Sequence, residues 1–191
     1  QNYWFKPDDF TTLPTKLRDK LAENFTLKSL DIKSEITSQD QNTRKVLFEL
    51  QDQEAIETVH MRYANRETLC ISSQVGCVMG CVFCATGQMG FRRNLTSREM
   101  VEQVINFARD LEDSGERLTN VVFMGMGEPF HNYDAVMKAI RRMNHPEGMN
   151  LGARRFTIST VGLIPEIRRF TSENSQVNLA VSLHAANDQL R

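Results

Sequence analysis

Cysteine is scarce in this chain and confined to one place. Only 4 of the 191 residues are cysteine, at positions 70, 77, 81 and 84, and none follows Cys84. A disulfide scaffold spreads its cysteines to staple distant segments, so this clustering excludes that class and points to metal or redox chemistry. Long apolar runs are also absent. Nothing approaches the roughly 20 residues that cross a bilayer, and no basic-apolar-small leader opens the chain, so no membrane is expected and the cytoplasm is the default compartment. A net charge of −1 gives no global argument for a polyanionic partner. With 40% hydrophobic and 25% charged residues, the composition is that of an ordinary globular protein.

Charge is uneven along the chain. Residues 1–59 carry 8 Lys/Arg against 11 Asp/Glu, and residues 60–191 carry 15 against 13. The second part holds four Arg pairs: Arg92–Arg93, Arg141–Arg142, Arg154–Arg155 and Arg168–Arg169. Solvated surface accounts for such pairs, and phosphate binding is compatible with them.

Leu13, Leu17, Leu21 and Phe25 recur every four residues and predict an amphipathic helix, with Pro14 in its first turn. Strands are expected over 32–37, 45–50 and 55–61, with turns in the polar stretch 38–43 and at Asp52-Gln53-Glu54. From Thr68 the pattern becomes strand, loop, helix. Strands are expected over 68–73, 120–124, 156–160 and 177–182. Helices are expected behind the Thr96-Ser97-Arg98-Glu99 capping box and over 134–143 and 163–170. Repeated β-loop-α units imply a parallel sheet, doubly wound or closed into a barrel, with chemistry on the loops after the strands. The expected organisation is a small α+β lead-in over 1–53 and a core over 54–191.

Cys77, Cys81 and Cys84 form a C-x3-C-x2-C loop, eased by Gly76, Gly80 and Gly87. Thiolates are the natural ligands of iron–sulfur clusters, and three of them leave one iron of a [4Fe–4S] cubane open to chelate S-adenosylmethionine. Structural zinc and unligated buried cysteines are the rivals, but zinc usually takes four ligands, often as two separated pairs, and His60 lies outside the loop. Gly125-Met126-Gly127-Glu128-Pro129 follows a buried strand and offers backbone groups and a carboxylate for a cationic amine. It is not a dinucleotide fingerprint, since the third glycine is missing. Ser159-Thr160-Val161-Gly162 and Ser182-Leu183-His184 place hydroxyl and imidazole groups at strand ends, where they suit ribose or carboxylate binding. Cys70 and Glu57 sit in strands. A buried hydrophobe accounts for Cys70, and the apolar neighbours Ile56 and Val59 leave open which face Glu57 takes.

From Glu57 onward the chain resembles the RlmN/Cfr family of radical-SAM RNA methyltransferases, closest to the RlmN branch. The resemblance is carried by Leu69–Cys77, Cys84-Ala85-Thr86-Gly87, Asn94-Leu95-Thr96, Met124–Pro129, Ser159–Gly162 and Ala180–Ala185. It implies a partial (β/α)6 barrel, about four of six units, behind an incomplete accessory domain. It implies a [4Fe–4S] cluster on Cys77, Cys81 and Cys84, with Gly127, Glu128, Ser159, Ser182, Leu183 and His184 contacting S-adenosylmethionine. The implied reaction is methylation of adenine C2 in 23S rRNA and in tRNA beside the anticodon. A C-terminal cysteine is methylated first and, after hydrogen abstraction by a 5′-deoxyadenosyl radical, attacks the base. Cys70 would resolve the protein–RNA adduct through a disulfide with that cysteine, and Glu57 would be the proton acceptor. A cytoplasmic monomer served by an electron donor such as flavodoxin is implied as well.

Because no cysteine follows Cys84, the carrier is missing here, and the chain is expected to be a fragment of a longer enzyme. Gln1 and the helix start expected near Arg191 point the same way. Two rivals stay open: the Cfr branch, which methylates adenine C8 and confers antibiotic resistance, and a non-catalytic cluster- or zinc-binding RNA module.

Overall fold

A computed structural model describes residues 7–25, 28–187 and 189. Seven strands form one open sheet in the order β1-β2-β3-β4-β7-β8-β9. The first four are β1 (Leu30–Thr37), β2 (Thr43–Leu50), β3 (Ala55–Tyr63) and β4 (Arg66–Cys70), joined by tight turns and therefore antiparallel. The others are β7 (Asn120–Phe123), β8 (Phe156–Thr160) and β9 (Asn178–Val181), which run parallel to β4 because a helix intervenes before each. A hairpin of β5 (Gln74–Gly76) and β6 (Phe91–Asn94) stands apart. Position 53 falls in the β2–β3 turn, and β1 to β3 continue the sheet of the later strands. Among the described residues, β9 pairs only with β8 and β1 only with β2.

The sheet is sided. Val46, Phe48, Ile56, Leu69, Val121, Phe123, Phe156 and Ile158 are buried on one face with α3 (Ser97–Asp113), α4 (Tyr133–Asn144) and Phe170 of α5 (Ile164–Ser172). Each large side chain so buried contributes roughly 1.5–3 kcal/mol. The alternate strand residues Glu57, Val59, Cys70, Val122, Thr157 and Ser159 are only half-buried on the other face. Helices on a single face are the wall of a barrel rather than a doubly wound sandwich, so the fold is a partial barrel.

The capping box forms as expected: Thr96 Oγ1 accepts from Glu99 N at 3.2 Å and Thr96 N donates to Glu99 Oε2 at 2.7 Å. Elsewhere the elements shift. β4 ends at Cys70, not at residue 73, because Gln103 takes both Ser72 N and Ser72 O. β1 begins two residues early because the amides of Ser29 and Leu30 donate to Glu102, at 2.7 and 3.0 Å. Helix α1 (Thr15–Asn24) starts after Pro14 and buries nothing, leaving Leu17 44% and Phe25 63% exposed. Residues 182–187 make no helical turn; Gln1 and positions 188, 190 and 191 lie outside the described residues.

Candidate radical-SAM site

The cysteine loop is closed by the β5–β6 hairpin. Gly76 has φ +70°, and a Cβ there would lie 1.8 Å from Gly90 O, so only glycine lets the two strands meet. Cys77 N then donates to Gly90 O at 3.2 Å, and Cys84 N to Cys81 O at 3.0 Å, leading into the short helix α2 (Ala85–Gln88). Neither this hairpin nor α2 was anticipated from sequence. Arg93 on β6 anchors them, with Nε on Asp52 Oδ2 at 2.5 Å and Nη2 on Glu99 Oε1 at 2.8 Å.

All three loop thiols are free and half-buried. Burial pushes the Cys77 thiol up, partly countered by a hydrogen bond with the Met79 backbone, with smaller upward effects from Cys81, Glu128 and Cys84. The three thiols share one short loop, and a set of thiolates suits a cationic metal core. Among the described residues no three Cys, His, Asp or Glu side chains meet at one point as a single ion requires. A tetrahedral zinc would hold its sulfurs about 3.8 Å apart, whereas a cubane places each thiolate on a separate iron. His60 is no fourth zinc ligand, since its Nε2 is 2.6 Å from Glu67 Oε2 on the helix-covered face. The donor set fits a [4Fe–4S] cluster.

The loop after β7 is fitted to the segment that leads into the cysteines. Gly127 has φ +102°, and a Cβ there would fall 2.5 Å from Gln74 Cβ. Met126 O accepts from Ser73 N and Gln74 N at 2.8 and 3.1 Å, and Met126 N donates to Ser72 Oγ at 3.0 Å. Glu128 is buried; its Oε1 accepts from Phe130 N at 3.0 Å and its Oε2 from Val161 N at 2.9 Å. One carboxylate thus ties the loops after β7 and β8 together.

Gln103 stands behind both loops and sequence reasoning missed it. Its side chain is fully buried, accepting from Thr58 Oγ1 and Ser72 N at 2.8 Å each and donating to Ser72 O at 3.0 Å. The available signal was a glutamine on the apolar stripe of α3, between Met100 and Phe107. Gln74 was missed too: its Oε1 accepts from Glu128 N at 2.9 Å and its Nε2 donates to Asn94 Oδ1 at 2.7 Å.

At the end of β9, Ser182, Leu183 and His184 line a cavity of about 360 Å³ together with Gly80, Cys81 and Phe83. The Phe83 and His184 rings lie 4.4 Å apart. Ser159 Oγ and Ser182 Oγ are 3.0 Å apart, joining β8 to β9. The cavity mouth is apolar and open, with Val82 84% and Leu183 75% exposed.

Glu57 and Cys70 occupy the same half-buried face of the sheet, opposite Ile56. Cys70 pairs in register with Val59, two residues along from Glu57. Lys45 Nζ holds Glu57 Oε1 at 2.9 Å. Burial pushes the Cys70 thiol up to about 11, partly countered by a hydrogen bond with the Met124 backbone, so at neutral pH it keeps its proton.

Comparison with known proteins agrees with this geometry. The Radical SAM superfamily profile matches residues 71–191. A ribosomal RNA large subunit methyltransferase N of Nitrosopumilus maritimus is 47% identical over 99% of this chain and 57% of its own length. A probable dual-specificity RNA methyltransferase RlmN of Dictyoglomus thermophilum is 49% identical over 97% of this chain and 53% of its own. The crystal structure of a radical SAM methyltransferase from Sphaerobacter thermophilus superposes with a TM-score of 0.95 at 52% identity, covering 98% of this chain and 55% of that one. The chain thus spans about half the length of the curated relatives it matches. Thiols gathered on a hairpin loop at the open end of a half-barrel, and a profile that begins just ahead of them, place the chain in the radical SAM superfamily, whose cofactors are a [4Fe–4S] cluster and S-adenosylmethionine.

Proposed function

We propose that this chain forms the radical-generating part of an RNA methyltransferase acting on adenine C2 in 23S rRNA and in tRNA next to the anticodon. The observation that carries the reading is the 360 Å³ cavity in which Cys81 meets Ser182, Leu183 and His184. In that cavity the Cys81 thiol and a set of hydroxyl, imidazole and apolar groups come within reach of one small molecule. The relatives' names, RNA methyltransferases at 47–49% identity, supply the substrate class.

In this reading Cys77, Cys81 and Cys84 hold the cluster. Bound there, it would supply the reducing electron for radical chemistry on S-adenosylmethionine, which the unactivated adenine C2 demands. Gly127 allows the backbone to approach, and Glu128 presents a carboxylate already fixed by two amides. Ser159 and Ser182 offer hydroxyls to a ribose, while Leu183 and the Phe83–His184 pair form an apolar wall. Glu57 accepts a proton on the inner face, with Lys45 beside it. Cys70 resolves the adduct only after its proton is removed, because a thiol held at about 11 is a poor nucleophile at neutral pH. An external donor such as flavodoxin would supply the electron, and the protein would work as a cytoplasmic monomer. Among the described residues no helix is long and apolar enough to cross a membrane.

The test is anaerobic reconstitution followed by metal analysis and measurement of 5′-deoxyadenosine. One zinc and no iron would end the proposal. In the whole protein, mass spectrometry of the digested RNA should find 2-methyladenosine. Finding 8-methyladenosine would favour the C8 branch instead.

A further inference from the structure

The structure sorts the four Arg pairs. Arg93 is taken by Asp52 and Glu99, and Arg169 binds Asp134 at 2.5 Å and lies 4.1 Å over the Tyr133 ring. Arg141, Arg142, Arg154 and Arg155 are exposed and form no ion pair among the described residues. The same holds for Arg117 and Lys138.

These six cations gather at one end of the molecule. Lys138, Arg141 and Arg142 line a hollow of about 500 Å³ with His145 and Glu147. Arg117 and Arg155 line a second, of about 230 Å³. The loop that follows α4 contributes to both hollows and folds back on the helix, with Leu151 N donating to Met143 O at 3.1 Å. Arg117 lies just ahead of β7 and Arg154–Arg155 just ahead of β8, so the cluster sits where strands begin. The cysteines and the cavity lie where strands end. Arg141 and Arg142 gain from the dipole at the end of α4, but that does not account for Arg117, Lys138, Arg154 or Arg155. Holding six unpaired cations together costs repulsion, which a polyanion would relieve.

We propose that this basic end binds the phosphates of a folded RNA whose target nucleotide occupies the site at the opposite end. The inference rests on RNA being the substrate and adds where and how that RNA is held. Helix α4 starts beside the Glu128 loop and carries Arg141–Arg142 in its last turn. From Tyr133 to Arg141 the helix rises about 12 Å, which separates the loop beside the site from the cations. A trinucleotide carries only two phosphodiesters, whereas a stem-loop has enough to meet the cations while its target nucleotide lies in the site. The contacts are to phosphate and carry no sequence information, so they position the RNA and the other end selects the base.

The test uses the reconstituted chain and two triple variants, K138Q/R141Q/R142Q and R117Q/R154Q/R155Q. Fluorescence anisotropy with an RNA stem-loop and with a trinucleotide, across a salt series, gives the affinities. Each variant should bind the stem-loop about tenfold more weakly, with the slope of log affinity against log salt reduced by about 2. Trinucleotide binding and RNA-independent formation of 5′-deoxyadenosine should not change. Variants that bind the stem-loop like the parent, at every salt concentration, overturn the proposal. A parent that makes 5′-deoxyadenosine but binds no RNA overturns the substrate reading itself. The substitutions lie on different loops, so misfolding of one triple leaves the other to decide.

Discussion

The helix-covered side of the sheet and the end that carries the cysteines are built on opposite terms. Behind the sheet, polar groups are spent on protein partners: Gln103 on Thr58 and Ser72, Glu102 on Ser29 and Leu30, Glu99 on Arg93 and the Thr96 cap. At the cysteine end, thiols stand free, Ser182 and His184 line a cavity, and apolar side chains point to solvent. A satisfied buried network rigidifies, and an unsatisfied open end is where a ligand gains most. The first region therefore positions what the second region uses.

The largest effect should come from the open end and leave the closed one intact. Cys81→Ala, and likewise Cys77→Ala or Cys84→Ala, should retain no cluster after reconstitution and lower 5′-deoxyadenosine by about a thousandfold or more, with unchanged apo-protein circular dichroism. Retained activity would separate the cysteines from the chemistry.

Next comes the closed side. Gln103→Leu leaves Thr58 Oγ1, Ser72 N and Ser72 O without partners, and should cost about 3–5 kcal/mol in urea unfolding. A loss below about 1 kcal/mol would mean that water replaces the side chain. Gly127→Ala, on the boundary between the two regions, forces a Cβ against Gln74 at positive φ and should cost about 2–3 kcal/mol.

How much of this was legible beforehand follows the same division. The capping box, the seven strands of the main sheet and the cysteine loop are local patterns, so spacing alone revealed them. Gln103 reads locally as a gap in an apolar stripe, because its partners lie 31 and 45 residues away. The early start of β1 depends on Glu102, more than 70 residues on. The stripe of α1 was visible as Leu13, Leu17, Leu21 and Phe25, yet periodicity cannot say whether a partner face exists. The side taken by Glu57 was settled by register with β2 and β4, which no single-strand pattern contains.

A finer test concerns Cys70, which belongs to the open face but is titrated like a core residue. Its raised pKa means that the protonated thiol is the favoured form when folded. The stabilisation is complete below the ordinary thiol range and is lost as pH rises through about 11. Alkylation of Cys70 in the apo-protein by iodoacetamide, followed by peptide mass spectrometry, should quicken about tenfold per pH unit and level off only near pH 11. A plateau near pH 8 would show an activated thiol. The smallest effect is expected at α1, where Leu17→Ser should shift stability by less than about 0.5 kcal/mol in thermal unfolding.

Glu128 carries one more consequence. Because Phe130 N and Val161 N already orient its two oxygens, the rotational freedom of that side chain is surrendered when the chain folds rather than when a ligand arrives. A cationic amine meeting it finds the remaining lone pairs aimed in advance. Glu128→Gln would keep one of those amide contacts and present an NH2 group where the other amide needs an acceptor. If Glu128 is the amine partner proposed above, selectivity for a charged amine over a neutral isostere would be written into the joint between two loops.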